Sequence, residues 1–350
     1  MKRVGILGLP QAGKSTLFEI LLAATGAQAT QQGREAIGVI RVPDPRVDRL
    51  SELYQPKKTT HTQVQFVDTV AAGQTSARAA AKGPDLFAAV RNCDAFLGVV
   101  RAFDNPAVPA AGGVDPARDL RALEIELVLN DLAIVESRRE KLEKEMKVGK
   151  KQGEAEYQVL ERCRTVLEAE RPLRDEPFTA EDMRVLRGFQ FLTLKPVVVV
   201  YNQDDDAGRT VPASAPGRVT VGLRAHLERE IVALPPAERP AFRAELGAVE
   251  DGLSLVVRAC YASLGLLSFF TVGPDEVRAW TVREGDTAVD AAGEIHSDLA
   301  KGFIRAEVIS YEKLLEAGGH PAAREKGWLR LEGREYRVRD GDCLEIRFNK

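Results

Sequence analysis

Short apolar runs with the character of strands recur along the chain, separated by segments whose apolar residues repeat at helical spacing. Arg3–Leu7 is the first such run. A glycine-rich turn follows, and Lys14–Ala24 then carries Leu17, Phe18, Leu21 and Leu22 at the three- and four-residue intervals of an amphipathic helix. Val64–Val67, ending in Asp68, is a second strand candidate, Ala95–Arg101 a third and Pro196–Tyr201 a fourth. The last is apolar enough to be buried on both faces. Strands alternating with helices predict an α/β fold built on a parallel sheet.

Between the third and fourth strands the texture changes. From Arg118 to about Gln190 there is little Gly or Pro and much Glu, Lys, Arg and Leu. Leu120, Leu123, Leu127, Asp131, Ile134 and Val135 trace one face of a long helix. Glu154–Glu170, with Tyr157, Leu160, Val166 and Leu167, forms a second, and the turn between them falls near Gly149–Gly153. This is the pattern of an antiparallel helical hairpin inserted into the α/β domain. Toward the C-terminus the pattern becomes that of a small α+β module. Val277–Val282 and Glu345–Phe348 have strand character, and Asp290–Ser297 and Tyr311–Glu316 have helical character. Arg334–Val338, Asp340-Gly341-Asp342 and the residues after them predict strand, tight turn, strand.

Composition narrows the class of protein. With 44% hydrophobic and 29% charged residues, the 350-residue chain has material for two or three packed domains. Lys plus Arg is 49 against 52 Asp plus Glu, a net charge of −3, so a uniformly basic nucleic-acid coat is excluded. No apolar run approaches the roughly 20 residues of a membrane span. The first residues hold no h-region of signal-peptide length, and a cytoplasmic protein is expected. The cysteines (Cys93, Cys163, Cys260, Cys343) and histidines (His61, His226, His296, His320) are scattered without metal-ligand spacing. One local departure from the even charge balance is Arg138–Lys151. It holds Arg138, Arg139, Lys141, Lys144, Lys147, Lys150 and Lys151 against Glu140, Glu143 and Glu145. Two readings stay open, a solvated helix face laced by i,i+3 and i,i+4 pairs, or a basic tip that touches RNA phosphates.

The candidate chemistry lies in the first turn. Gly8-Leu9-Pro10-Gln11-Ala12-Gly13-Lys14-Ser15, followed by Thr16, is a complete G-x-x-x-x-G-K-[ST] motif, placed after a strand and opening a helix. Gly8 and Gly13 let the backbone curl so that the N–H groups of Gln11, Ala12 and their neighbours point at phosphate oxygens. The helix opening at Lys14 adds its positive dipole end. Lys14 is expected on the β- and γ-phosphates, and Ser15 as a ligand of Mg²⁺. Asp68, ending the next apolar strand, fits the acid that holds the Mg²⁺ shell. Asn202-Gln203-Asp204-Asp205 follows the buried strand at the position where GTPases carry N-K-x-D. Asn202, Gln203 and Asp205 are the base-reading candidates, with Gln203 where Lys is usual.

These segments together resemble the YchF/Obg-like ATPase family, a branch of the translation-factor-type P-loop NTPases. The resemblance runs over nearly the whole chain. It is carried by Gly5–Pro10 with Gly13–Phe18, by Val42-Pro43-Asp44-Pro45-Arg46 and by Gln65-Phe66-Val67-Asp68. In the tail it is carried by Phe269–Gly273, Glu276–Thr281 and Lys301–Ile309. It implies a P-loop NTPase parallel sheet with an inserted helical hairpin, plus a C-terminal α+β TGS (ubiquitin-like) domain. We place these at 1–117 with 195–266, at 118–194 and at 267–350. It further implies hydrolysis of ATP or GTP, ATP favoured, with Mg²⁺, and association with ribosomes or RNA through the hairpin tip and the TGS domain. The chain also departs from the family. Asp68-Thr69-Val70-Ala71 lacks the glycine of D-x-x-G, and Ala72 stands where the family has Leu. Gln74–Ala81 replaces a glycine-rich run, Val108-Pro109-Ala110 lacks a common His, and Thr30 is a poor substitute for the Mg²⁺-binding Thr of the first switch. The binding half of the site is intact and the switching half eroded, which predicts slow hydrolysis. The rival expectation is a non-hydrolysing module that holds nucleotide as a regulatory ligand. A small-molecule kinase is disfavoured by the TGS-like tail.

Overall fold

The computed structural model describes residues 1–32, 35–68, 87–106, 112–148, 153–204, 211–212, 218–246 and 251–349. Contacts divide the chain into two compact units, Met1–Ile40 with Gln65–Ser263, and Arg41–Val64 with Leu264–Lys350. In chain order the strands are β1 (Arg3–Leu7), β2 (Ala29–Gln32), β3 (Glu35–Arg41), β4 (Lys58–Thr60), β5 (Gln63–Asp68), β6 (Ala95–Ala102), β7 (Val197–Gln203) and β8 (Arg218–Leu223). They continue as β9 (Leu266–Thr271), β10 (Glu276–Arg283), β11 (Phe303–Ser310), β12 (Arg330–Glu332) and β13 (Asp342–Phe348). The first five α-helices are α1 (Lys14–Thr25), α2 (Pro45–Tyr54), α3 (Ala88–Arg91), α4 (Pro116–Lys147) and α5 (Glu154–Glu168).

The first unit is built on a seven-stranded sheet in the order β2-β3-β5-β1-β6-β7-β8. From β5 to β8 neighbouring strands run parallel, and β2 and β3 form an antiparallel pair. The parallel strands read as continuous apolar runs because both faces are covered. Every residue of β6 is buried, as is every residue of β7 except Gln203. Strands β2, β3 and β8 were not legible as apolar runs. Ala29–Gln32 is polar at the sheet's edge, and Arg218–Leu223 is only half-buried along its length. Because β5 and β6 lie on opposite sides of β1, chain order reverses there, and the carboxyl ends of β1, β5, β6 and β7 meet at one edge. That is where open α/β sheets hold ligands.

The inserted helices do not begin at a joint. Helix α4 starts at Pro116, capped by Asp115, and its Leu120, Leu123 and Leu127 belong to the core beneath β6 and β7. Only from Val128 onward does it share a separate core with α5, through Val135, Leu142, Leu160, Cys163 and Leu167. Asp131, read from the sequence as part of the apolar face, is fully buried. Its carboxylate accepts from the Leu192 N–H (3.0 Å), the Thr193 N–H (2.7 Å) and the Thr193 hydroxyl (2.7 Å), so the buried charge is held by three donors.

In the second unit the sheet order is β12-β11-β13-β9-β10-β4. Two expectations are corrected here. Residues Arg41–Val64, assigned above to the nucleotide domain, pack with the C-terminal residues. Strand β4 adds to β10, and Val47 and Leu50 of α2 enter the core of Phe270, Val277, Ile309 and Leu314. The Pro-Asp-Pro-Arg segment explains this. Arg46 donates to Asp44 (2.9 and 2.8 Å) and to Asp340 (2.7 and 3.3 Å), and its guanidinium lies 5.1 Å from the Phe270 ring centre. Arg334–Val338 is not a strand. Arg330–Glu332 is the strand paired with β11, and the following residues return to the helix Ala288–Ile295, where Arg337 makes an isolated bridge to Thr287.

The same unit contains a proton-sensitive contact. The Tyr54 hydroxyl lies 2.9 Å from His320 Nδ1 and accepts the His320 backbone N–H at 3.0 Å. With its oxygen taken, the hydroxyl donates to Nδ1, which requires a neutral ring. Burial pushes the His320 pKa below its usual 6.5, with Glu345 and Glu307 acting against the shift and Arg324 with it. The unfolded chain therefore binds this proton first. Stability is full above about pH 6.5 and declines as pH falls from there through the depressed folded value. Both tryptophans, Trp280 and Trp328, lie in this unit. Urea unfolding followed by tryptophan fluorescence should show a midpoint that falls as pH drops below 6.5, and His320→Gln should flatten that fall. An identical pH profile in the two proteins would refute the contact's role.

Candidate functional site

Strand β1 ends at Leu7 and the chain turns through Gly8–Gly13 into α1. Gly8 has φ 153° and Gly13 φ 99°. A Cβ on Gly8 would stand 2.4 Å from the Val99 carbonyl oxygen, and one on Gly13 would stand 2.4 Å from Asn202 Nδ2. Both glycines are therefore required twice, by backbone conformation and by space. Gln11 also has positive φ, 65°, the left-handed conformation that ordinary residues adopt at a cost and that clusters at functional turns. Ala12 is buried, and its N–H reaches the Leu9 carbonyl at 3.3 Å. Ser15 and Thr16 are half-buried in the first turn of α1. Among the described residues that turn has no side-chain cap, and it holds no acidic residue of its own.

Lys14 bends back over the loop, and its ammonium donates to the carbonyls of Gly8 (2.8 Å) and Leu9 (2.9 Å). Burial lowers its pKa, and the charges of Asp68 and Glu126 oppose that shift. Asp68 is buried at the end of β5, opposite Ile6 of β1 in the register. The sheet thus brings together the lysine, the strand-end carboxylate and the Ser15 turn, all around one curl of backbone. A buried carboxylate and a hydroxyl are hard-oxygen donors of the kind that suit Mg²⁺, which would draw its remaining ligands from water and substrate. Among the described residues no group of three or more His, Cys, Asp or Glu gathers to hold a metal without such help.

The base-reading candidates are placed differently from one another. Asn202 is buried at the end of β7. Its Nδ2 donates to the Ala12 carbonyl (3.1 Å), and its Oδ1 accepts the Ala225 N–H (3.2 Å). It ties the loop to the start of the helix Ala225–Ala233. The Gln203 side chain lies against Gly222 of β8, where an added Cβ would stand 2.7 Å from its Oε1. Asp204 accepts the Asp104 N–H (3.1 Å), joining the segments that follow β6 and β7. Asp205 lies outside the described residues, as do Thr69–Ala72, Gln74–Ala81 and Val108–Ala110. Thr30 sits exposed on the edge strand β2. Two strands separate it from β1, a distance of about 14 Å at ordinary strand spacing, so this arrangement does not bring it to the loop.

Two features escaped the sequence reading. Arg101, at the end of the otherwise apolar β6, is buried, with its guanidinium 4.7 Å from the Phe103 ring centre and Nε donating to the Phe103 carbonyl (3.1 Å). A charge ending a wholly buried strand was the signal for it. The other is the face of α4 carrying Asp119, Leu123 and Glu126. A cavity of about 280 Å³ beside the loop is lined by Leu9, Gln11, Val99 and Arg101 on one side and by Asp119 and Leu123 on the other. Only the packing of α4 across β6 could reveal that.

The YchF-GTPase_C family model, described as a protein of unknown function (DUF933), matches residues 266–349. The chain is 37% identical over 361 residues to the ribosome-binding ATPase YchF of Bacillus subtilis (strain 168), covering 99% of this chain and 98% of that protein. It is 39% identical over 360 residues to the protein of the same name from Haemophilus influenzae, covering 99% of both. The solved structure of the Schizosaccharomyces pombe YchF GTPase superposes with a TM-score of 0.84 at 28% identity, over 99% of this chain and 97% of that one.

The Asn202 contacts generate a test. Replacement by Ala leaves the Ala12 carbonyl and the Ala225 N–H without their partner in a buried position, at about 1–3 kcal/mol for each unsatisfied group. Amide exchange at Ala225 should quicken markedly in Asn202→Ala, while amides within β9–β13 keep their protection. Unaltered exchange at Ala225 would show that the tie contributes nothing.

Proposed function

The chain belongs to the YchF family, and from that premise we propose that it is a slow P-loop nucleotide hydrolase that favours ATP over GTP and binds ribosomes in the cytoplasm. The observation that carries this reading is the phosphate loop itself. Its curl is shaped by two glycines with positive φ, Asn202 ties it down, and Lys14 is parked on its carbonyls. The bacterial relatives are named ribosome-binding ATPases and the Schizosaccharomyces pombe protein a GTPase, so base preference is the finer part of the proposal.

In this reading the N–H groups of Gly8 and of Gln11 through Thr16 cradle the phosphates. Lys14 leaves the Gly8 and Leu9 carbonyls for the β- and γ-phosphates, a movement that exchanges two neutral acceptors for charged ones. Ser15 and Asp68 hold Mg²⁺, which, when bound, neutralises charge on the phosphate oxygens. Asn202, Gln203 and Asp205 are the residues this reading assigns to the base. Positioning and electrostatics carry the chemistry, as phosphoryl transfer allows, and turnover is slow because Ala71 and Ala72 replace the usual switch residues. The nucleotide unit, the hairpin and the TGS-like module act as three parts. The hairpin presents Lys141, Lys144 and Lys147 to solvent. Arg138 and Arg139 are instead occupied within it by Glu156 (2.7 Å) and Glu161 (2.7 Å). The lysines suit phosphate contacts on ribosomal RNA.

Titration with ATP, GTP and ADP, with and without Mg²⁺, tests the reading. Triphosphate analogue and ADP should bind within about tenfold of one another, or ~1.4 kcal/mol. Lys14→Ala should lose binding of all nucleotides with its circular dichroism unchanged. Phosphate release should be slow in the wild type and absent in that variant. Equal release in both would remove the hydrolase assignment, and equal affinity in both would remove the site.

A further inference from the structure

We propose that the cavity between the loop and α4 is a second ligand site, one that takes a small planar aromatic molecule and bears on the phosphate loop from behind. The site itself does not depend on the nucleotide reading; its effect on nucleotide rests on that reading.

The cavity has a mouth and a floor. Pro10, Gln11 and Arg118 at its mouth are exposed, and Val99, Val100 and Leu123 at its floor are buried. Its volume is about 280 Å³. An apolar cavity of about 150 Å³ admits benzene, so this one has space for two fused rings. It lies apart from the residues assigned to phosphate, metal and base: Gly13, Lys14, Ser15, Asp68 and Asn202 are not among the residues that line it. The loop cannot close it by collapse. Gly8 already abuts the Val99 carbonyl, and the Ala12 carbonyl is tied to Asn202 Nδ2 (3.1 Å). A void held open in this way forfeits contacts that a ligand of matching shape restores.

The walls select the ligand. Leu9, Pro10, Val99, Val100 and Leu123 are apolar, which favours an uncharged body. Arg118 and Asp119 pair with one another at the rim (3.0 and 2.9 Å). Arg118 is fixed further by the carbonyls of Gly112 (3.2 Å) and Gly113 (2.9 Å), so this pair needs no ionic partner. Arg101 sets the ligand's shape. It is buried, it lines the cavity, and it already lies against one aromatic ring, with Cζ 4.7 Å from the Phe103 centre. A weakly hydrated planar cation in an apolar wall attracts the face of a π system more than a saturated ring of the same size. The matching ligand is therefore flat, aromatic and uncharged. Leu9 to Ala12 all line the cavity, so a ligand there packs against the backbone whose amides meet the phosphates. By linkage, whatever it does to nucleotide affinity, nucleotide does to its own.

The probe is 2-naphthol, compared with its saturated counterpart decahydro-2-naphthol, each titrated into the full chain while methyl resonances are followed by NMR. 2-Naphthol is expected to bind with a Kd on the order of 0.1–1 mM, the range of a fragment of this size, and about threefold or more tighter than the saturated alcohol. The methyls of Val99, Val100 and Leu123 should shift and saturate. ADP should leave 2-naphthol bound and change its Kd about two- to fivefold. Leu123→Phe, its ring filling the cavity and its fold verified by circular dichroism, should lose about tenfold or more in affinity for 2-naphthol. Absence of saturable shifts at those methyls, competitive displacement by ADP, or undiminished binding by folded Leu123→Phe overturns the site. Equal affinity for the two alcohols overturns the aromatic class, and a Kd indifferent to bound ADP overturns the link to the loop. A chain that takes 2-naphthol but no nucleotide overturns the functional reading instead.

Discussion

The turn between β1 and α1 has no room for a side chain at either end, and the first unit is arranged around that fact. Gly8 is pressed against the Val99 carbonyl and Gly13 against the Asn202 amide, each with a backbone conformation that a Cβ would oppose. The curl survives because its neighbours hold it. The parallel register sets Leu7 beside Gly98 and Ile6 beside Asp68, and Asn202 reaches across from β7 to the Ala12 carbonyl. A loop held this way has its amides oriented before any ligand arrives, so little ordering cost remains to be met on binding. Lys14 completes the pre-organisation. Its ammonium already lies over the loop, on acceptors weaker than a phosphate.

Helix α4 connects this site to the hairpin because it belongs to two cores at once. Its first turns are locked beneath the sheet by Leu120, Leu123 and Leu127, and its later turns pack with α5. Asp131 stands near the changeover, and its three hydrogen bonds fasten the helix to Leu192 and Thr193, just ahead of β7. A 32-residue helix is about 48 Å long, so Asp119 and Leu123 beside the loop and the lysines near its far end are parts of one continuous element. Most of the hairpin's basic excess is accounted for physically. The arginines near α5 satisfy carboxylates across the hairpin, and the lysines remain in water.

The second unit shows how a segment distant in sequence is captured. Arg46 is the anchor, with two carboxylates and an aromatic face around one guanidinium, and Asp340 also accepts the Ser268 N–H (2.9 Å). Because this segment leaves β3 and returns to β5, the strand carrying Asp68 is joined by the chain directly to the residues that complete the other unit.

Much of this was legible in the residues. The glycines, Lys14 and Ser15 declare a phosphate loop because only small residues tolerate such a curl and only that spacing presents its amides. The apolar runs of β1, β5, β6 and β7 declare a parallel sheet because burial on both faces leaves no polar alternation. The family resemblance was likewise carried by local strings. Tertiary structure alone decided the rest, since it depends on which elements become neighbours. Half-buried β8 and polar β2 are strands only because a neighbour pairs with them. The residues from Arg41 to Val64 join the C-terminal unit because Arg46 finds Asp340, some three hundred positions away in sequence. Arg334–Val338 carried strand-like alternation, yet the sheet edge was taken by Arg330–Glu332. Asp119 and Leu123 were two residues among many on a long helix. Their place beside the loop follows from the packing of α4 across β6, and no spacing in the sequence records that packing.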